Sequence, residues 1–162
     1  MKSPLVRFLL TINNSYTFFI SSWHMGLMVS VLLFWYPTWI GLTLTTIHEN
    51  FGVPAQLATN IFIVLIPIMF ITCAIMIISE WKTKAKWPAM CALIGSLGST
   101  VMAYYFLFPL NNIIAAGLPT QAGLTEILKK WMVLNDYRVC FSVFTWFSVL
   151  TFFLMKINRS QS

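Results

Sequence analysis

LATNIFIVLIPIMFITCAIMIIS, residues Leu57 to Ser79, runs without a single charged side chain. At about 1.5 Å per residue a helix of this length crosses the roughly 30 Å hydrocarbon layer of a bilayer. A lipid-facing barrel would show shorter segments, of about 10 residues, with alternating polarity. A helix also pairs its own backbone N–H and C=O groups, for which lipid offers no partner.

Working outward, three more stretches have the same character. Tyr16–Ile40 is uncharged, Pro88–Phe108 follows a basic loop, and Tyr137–Met155 carries Arg138 in its first turn. The whole chain agrees. Of 162 residues, 59% are hydrophobic and 9% charged, where a soluble domain carries roughly 25% charged residues. Mean hydropathy is +0.80. The expectation is an all-α membrane protein: a four-transmembrane-helix, up-down-up-down bundle forming one domain over residues 1–162, with spans of about 16–40, 57–79, 88–108 and 137–155.

Basic residues orient such a bundle, because loops on the cytoplasmic side are enriched in Lys and Arg. Lys2, Arg7, Lys82, Lys84, Lys86, Lys156 and Arg159 fall on one side, and Lys129, Lys130 and Arg138 on the other. Both termini are therefore expected in the cytoplasm, with the protein in the plasma (bacterial inner) membrane. The net charge of +6 then reports topology. No basic stripe interleaved with exposed aromatics is present, so nucleic acid is not an expected partner. The first span is read as retained: its apolar run is longer than the 7–15 residues of a signal peptide, and no small-residue cleavage site follows. Cys73, Cys91 and Cys140 all fall in spans, with neither disulfide nor zinc spacing, and read as inert buried thiols.

Prolines punctuate the spans. Pro54 and Pro88 suit first turns, Pro109 is expected to end the third helix, and Pro67 to kink the second and open space beside it. Trp81 and Trp87 mark one membrane interface; Trp35, Tyr36, Trp39, Tyr104 and Tyr105 mark the other. Small residues that permit close helix packing recur at Ser22, Gly26 and Ser30, and at Ala92, Gly95, Ser96, Ser99 and Ala103.

WMVLNDYRVCF, Trp131–Phe141, is the polar anomaly. A favourable Glu126–Lys130 pair at i, i+4 places a helix start near Thr125. On that helix Trp131, Asn135, Arg138, Ser142 and Thr145 form one stripe. Asp136 lies about 100° away from Asn135 and is expected to face elsewhere as an interfacial charge. The end of the third helix, with Asn111 and Asn112, is level with Arg138. Arg138 has two readings. It snorkels to headgroups, or it turns inward with the stripe, and an inward ionisable residue at membrane depth marks a site.

Asn111 two residues after Pro109, followed by L-x-x-W-x-x-L-N-x-x-R at Leu128, Trp131, Leu134, Asn135 and Arg138, resembles the DUF1772 family. Gly26, eleven residues before Pro37, is compatible with it. The family includes the anthrone oxygenases of aromatic polyketide pathways. The resemblance implies four membrane helices and, for some members, oxygenation of an anthrone to a quinone without metal or flavin, so no cofactor and no metal ligand are expected. Within it, Arg138, Asn111 and Asn135 would stabilise a developing phenolate, and His48, beside Glu49, would be the base. Trp131 would stack on a flat ring, with Asn112 and Tyr36 as further substrate contacts. The chain departs from the family pattern in having Trp35-Tyr36 where many members carry Glu-His, and Asn135 where some carry His.

His24, beside Met25 and Met28, could serve copper or haem. A hydrogen-bonded packing role is the preferred reading, because His48 lies towards the opposite face and cannot share a metal with it. Two function classes stay open: a membrane oxygenase for a flat hydrophobic, anthrone-like substrate in a polar pocket at the extracytoplasmic end, and a non-catalytic membrane protein whose polar cluster is structural or binds a lipid or protein partner.

Overall fold

A computed structural model describes the backbone of residues 3–161. Lys2, used above for orientation, lies outside the described residues, as does the side chain of Arg159. Among the described residues the structure is helical without strands. Four helices are long and apolar enough to cross a membrane: α1 (Pro4–Trp39), α2 (His48–Ser79), α3 (Lys86–Ala116) and α4 (Gln121–Gln161). Their outer faces carry exposed large apolar side chains such as Phe19, Ile63, Ile71, Ile78 and Phe147.

The helices overrun the expected spans, and local chemistry explains where they stop. Ser3 caps α1 through its side chain, which accepts from the Val6 N–H, with Pro4 in the first turn. Thr120 does the same for α4: its hydroxyl accepts from the Gly123 N–H at 3.2 Å. The last helix thus starts at Gln121, four positions before Thr125. Gly117, with φ of +89°, ends α3, a conformation that suits glycine.

Pro109 does not end the third helix, as its missing N–H led us to expect. The chain instead widens into a π-turn over Met102–Leu107, with the Phe108 N–H reaching back to Ala103 O, and the helix continues to Ala116. The same device recurs before Pro37, where Tyr36 N–H bonds Val31 O, and before Pro54, where Val53 N–H bonds His48 O. In each case the residue just before the proline makes the longer bond. The extra residue in the turn accommodates the carbonyl that proline cannot bond and would otherwise crowd. Pro54 is accordingly inside α2 and not in its first turn. Pro67 sits in an α-helical stretch with no such widening.

Helices α3 and α4 approach most closely through glycine. A Cβ on Gly95 would stand 2.5 Å from Thr145 Oγ1 and 3.2 Å from the Phe141 carbonyl oxygen. Ala92, Ser96, Ser99 and Ala103 are buried along the same face, as their spacing predicts. The corresponding expectation for α1 holds at Ser22, whose hydroxyl accepts from the Trp146 indole N–H at 2.9 Å, and fails at Gly26. Gly26 is exposed, with open space where a Cβ would be. The inward face of α1 is Thr17, Ile20, Ser21, His24 and Met28. Its hydroxyls are masked by bonds to their own helix, Thr17 to Asn13 O and Ser21 to Phe18 O, so polar residues can occupy a packing face.

Two ends of the bundle differ in character. At one, Trp39, Phe51, Leu107, Leu110, Leu128 and Trp131 form a packed cluster. The loop after α1 is tied to it by Gln121, whose side chain donates to Leu42 O (2.8 Å) and accepts from Leu44 N–H (3.2 Å). At the other end, Lys156 pairs with Glu80 at 3.2 Å, and Lys86 lies 5.3 Å from the rings of both Trp81 and Trp87. Cys73 is buried and Cys91 half-buried, while Cys140 is exposed on the outer face and so is not the buried thiol expected.

Candidate functional site

The stripe on α4 turns inward. Trp131, Asn135, Ser142 and Thr145 are buried, Asn135 completely at 0% exposure, and Arg138 is half-buried among them. These side chains border a cavity of about 330 Å³ between the helices, towards the small end of the roughly 300–1,000 Å³ typical of ligand sites. The walls come from all four helices. Met28, Val31 and Trp35 line it from α1, Ala58, Phe62 and Pro67 from α2, and Ser99, Ala103 and Leu107 from α3. All three π-turned regions adjoin it, through Val31 and Trp35, Pro54, and Ala103 and Tyr104.

Polar groups concentrate at the aromatic end. Trp131 stands edge-to-face with Trp39 and Phe51, both at a ring separation of 5.3 Å. Its indole N–H donates to Asn111 Oδ1 at 2.8 Å. Asn135 Nδ2 donates to the Tyr36 hydroxyl at 3.0 Å, and that hydroxyl reaches Met132 O at 3.0 Å and Asp136 Oδ1 at 3.1 Å. Asp136 is exposed, as expected, yet it is not separate from the stripe, because Tyr36 bridges it to Asn135. The long phenol spans the angle between neighbouring helix positions, which a face-by-face reading of α4 omits.

At this wall two buried polar atoms, Asn135 Oδ1 and Arg138 Nε, have no hydrogen-bond partner among the described residues; away from it the Tyr16 hydroxyl is a third. The Arg138 guanidinium makes no hydrogen bond to any described residue. Buried polar groups are normally paired, and an unpaired charge in low dielectric is costlier still.

Of the residues singled out from sequence, Arg138, Asn111, Asn135 and Trp131 share this cavity wall, and Tyr36 joins through its bond to Asn135. His48 and Asn112 do not: both are exposed and outside the lining. His24 does share it. It is buried, stands edge-on to Phe62 at 5.0 Å, lines the same cavity as Arg138, and makes no hydrogen bond to a described residue, so the expected hydrogen-bonded packing role is not seen. The spacing His24, Met28, Val31, Trp35 held the signal, a steady inward face of α1. On α2 the one signal was Pro67, which lines the cavity; its other lining residues apart from Thr59 are apolar and carried none. Among the described residues no three His, Cys, Asp or Glu side chains gather closely enough to hold a metal ion.

No family model, curated protein or solved structure gives a significant match to the chain. None of them identifies the DUF1772 family, so that resemblance rests on the sequence pattern around Pro109, Asn111 and Leu128–Arg138 with the Gly26–Pro37 spacing.

Proposed function

We propose that this chain is an integral membrane protein of four spans running up-down-up-down, with both termini cytoplasmic in a bacterial inner membrane, and that its cavity is the site of an oxygenase acting on a flat, hydrophobic, anthrone-like molecule. Alternating direction is supported by contacts between chain-adjacent helices: Asn13 donates to Thr72 O at one end of α1 and α2, and Trp39 packs on Phe51 at the other. Orientation rests on the seven basic residues grouped by that topology.

The observation that carries the functional reading is the unpartnered guanidinium of Arg138 in a largely apolar, aromatic-rimmed cavity. Such a fixed cation stabilises negative charge that develops on a ring oxygen. In the reaction, an acidic ring CH₂ loses a proton, and the resulting enolate holds its charge on the oxygen facing Arg138. The carbanion carbon bonds to O₂, the peroxide is protonated, and loss of water leaves a carbonyl. One CH₂ and one O₂ thus become one C=O and one H₂O. With His48 exposed outside the lining, His24 is the proposed base, because its unbonded imidazole lines the same cavity.

The test is O₂ uptake and quinone absorbance in nanodiscs supplied with anthrone. Uptake equal to quinone formed, lost in Arg138→Lys because an ammonium cannot reproduce the guanidinium fork, is the expected result. Anthrone bound but recovered unchanged under O₂ would move the protein to the second class, a non-catalytic binder of membrane-soluble molecules. A reporter fused to the C-terminus should behave as cytoplasmic; an extracytoplasmic signal overturns the topology.

A further inference from the structure

We infer that the cavity selects a ring compound bearing two polar groups one helical turn apart: an anionic oxygen held by Arg138 and Asn111, and a hydroxyl that donates to Asn135. This rests on the proposal that the cavity holds a flat hydrophobic molecule, and it specifies that molecule's polar edge.

The assignment follows from groups whose hydrogen-bonding sense cannot change. An indole N–H only donates. Trp131 bonds Asn111 Oδ1, so the Asn111 amide is turned with its Nδ2 donors free, and that group makes no hydrogen bond to a described residue. An ionised carboxylate only accepts. Asp136 Oδ1 and Met132 O, both acceptors, take the Tyr36 hydroxyl proton. The phenol oxygen must then accept from Asn135 Nδ2. That leaves Asn135 Oδ1 as the unsatisfied acceptor, buried at the cavity wall. Arg138, one turn further along α4, has only donors. The wall therefore offers donors at Arg138 and Asn111 and an acceptor at Asn135. Residues at i and i+3 are about 5–6 Å apart at Cβ, which suits substituents meta on a ring better than ortho. Tyr36 is a positioning residue, since its hydroxyl, whose proton goes to Met132 O and Asp136, sets the sense of the Asn135 amide without lining the cavity itself.

Binding without O₂, in phosphatidylcholine nanodiscs with empty discs subtracted, tests this with four probes: 2-methylnaphthalene, 2-naphthoate, 4-hydroxy-2-naphthoate and 4-methoxy-2-naphthoate. The naphthoate should bind at least tenfold tighter than the methyl compound, and the hydroxy compound at least tenfold tighter than the methoxy. Tyr36→Phe should shrink the hydroxy-to-methoxy ratio several-fold while leaving 2-naphthoate affinity unchanged, because the freed amide can turn, whereas Asp136→Asn should leave the ratio in place, because Met132 O still takes the phenol proton; a purely structural role of Tyr36 would weaken all probes together. Equal binding of methylnaphthalene and naphthoate overturns the anionic requirement and leaves the flat-molecule reading standing. Equal hydroxy and methoxy binding overturns the assignment of Asn135. No binding of any probe by the folded protein defeats the flat-molecule reading itself. Loss of naphthoate binding in phosphatidylglycerol discs would assign Arg138 to a lipid headgroup and overturn the inference; retained binding is expected.

Discussion

Gly95 offers the sharpest test of how α3 and α4 are joined, and so of what sets the cavity's width. An added Cβ would lie 2.5 Å from Thr145 Oγ1, 2.9 Å from Phe144 Cδ1 and 3.2 Å from the Phe141 carbonyl oxygen. Comfortable separations are about 3.5–4.0 Å, so the helices must part by roughly an ångström or Thr145 must rotate. Rotation alone is insufficient. The Thr145 hydroxyl is held by Phe141 O at 2.8 Å, and the Phe141 carbonyl belongs to the backbone. Overpacking of this kind costs about 1–3 kcal/mol, offset by about 0.5–1 kcal/mol from alanine's better helix propensity. Gly95→Ala should therefore destabilise by about 1–2 kcal/mol. Gly98→Ala should cost less, because the three atoms nearest its Cβ all belong to the Phe141 ring, at 2.7–3.0 Å, and a ring can pivot. Gly26→Ala, with nothing within 4 Å, should be neutral or stabilise by up to about 1 kcal/mol. Unfolding in mixed dodecyl maltoside and dodecyl sulfate micelles, followed by tryptophan fluorescence, reads all three. Adding Thr145→Ala should recover part of the Gly95→Ala loss. If Gly95→Ala proves as stable as Gly26→Ala, the close α3–α4 seam is wrong.

Arg138→Leu should raise stability by up to about 3 kcal/mol, the scale of an arginine's cost at membrane depth, while abolishing turnover; a drop in stability would mean that the guanidinium is paired in the native protein. Trp131→Phe, which keeps the ring packing but loses the bond to Asn111, should cost about 1 kcal/mol in the same micelle assay. His24→Leu should leave anthrone binding within a few-fold and remove O₂ uptake, whereas undiminished uptake would clear His24 of the role of base. His48→Ala should change neither, since the side chain is exposed outside the cavity.

Uncharged length and an apolar surplus are properties of composition, so Leu57–Ser79 and its three counterparts announced four membrane-long helices without any tertiary contact. Helical periodicity likewise put Trp131, Asn135, Arg138, Ser142 and Thr145 on one stripe, and all but half-buried Arg138 are buried. Helix ends were less legible. A proline reads as a stop, and only the folded chain could show that widened turns before Pro37, Pro54 and Pro109 carry the helices onward. Tertiary structure alone decided which stripes meet. Periodicity says which residues share a face, but it carries no information about the depth and rotation at which that face meets another helix. That is why Gly26, spaced like a packing residue, lies on the outside, and why His24, assigned to packing, borders the same cavity as Arg138. It is also why Asp136, on another face of α4, is still linked to Asn135 through a tyrosine that is remote in sequence.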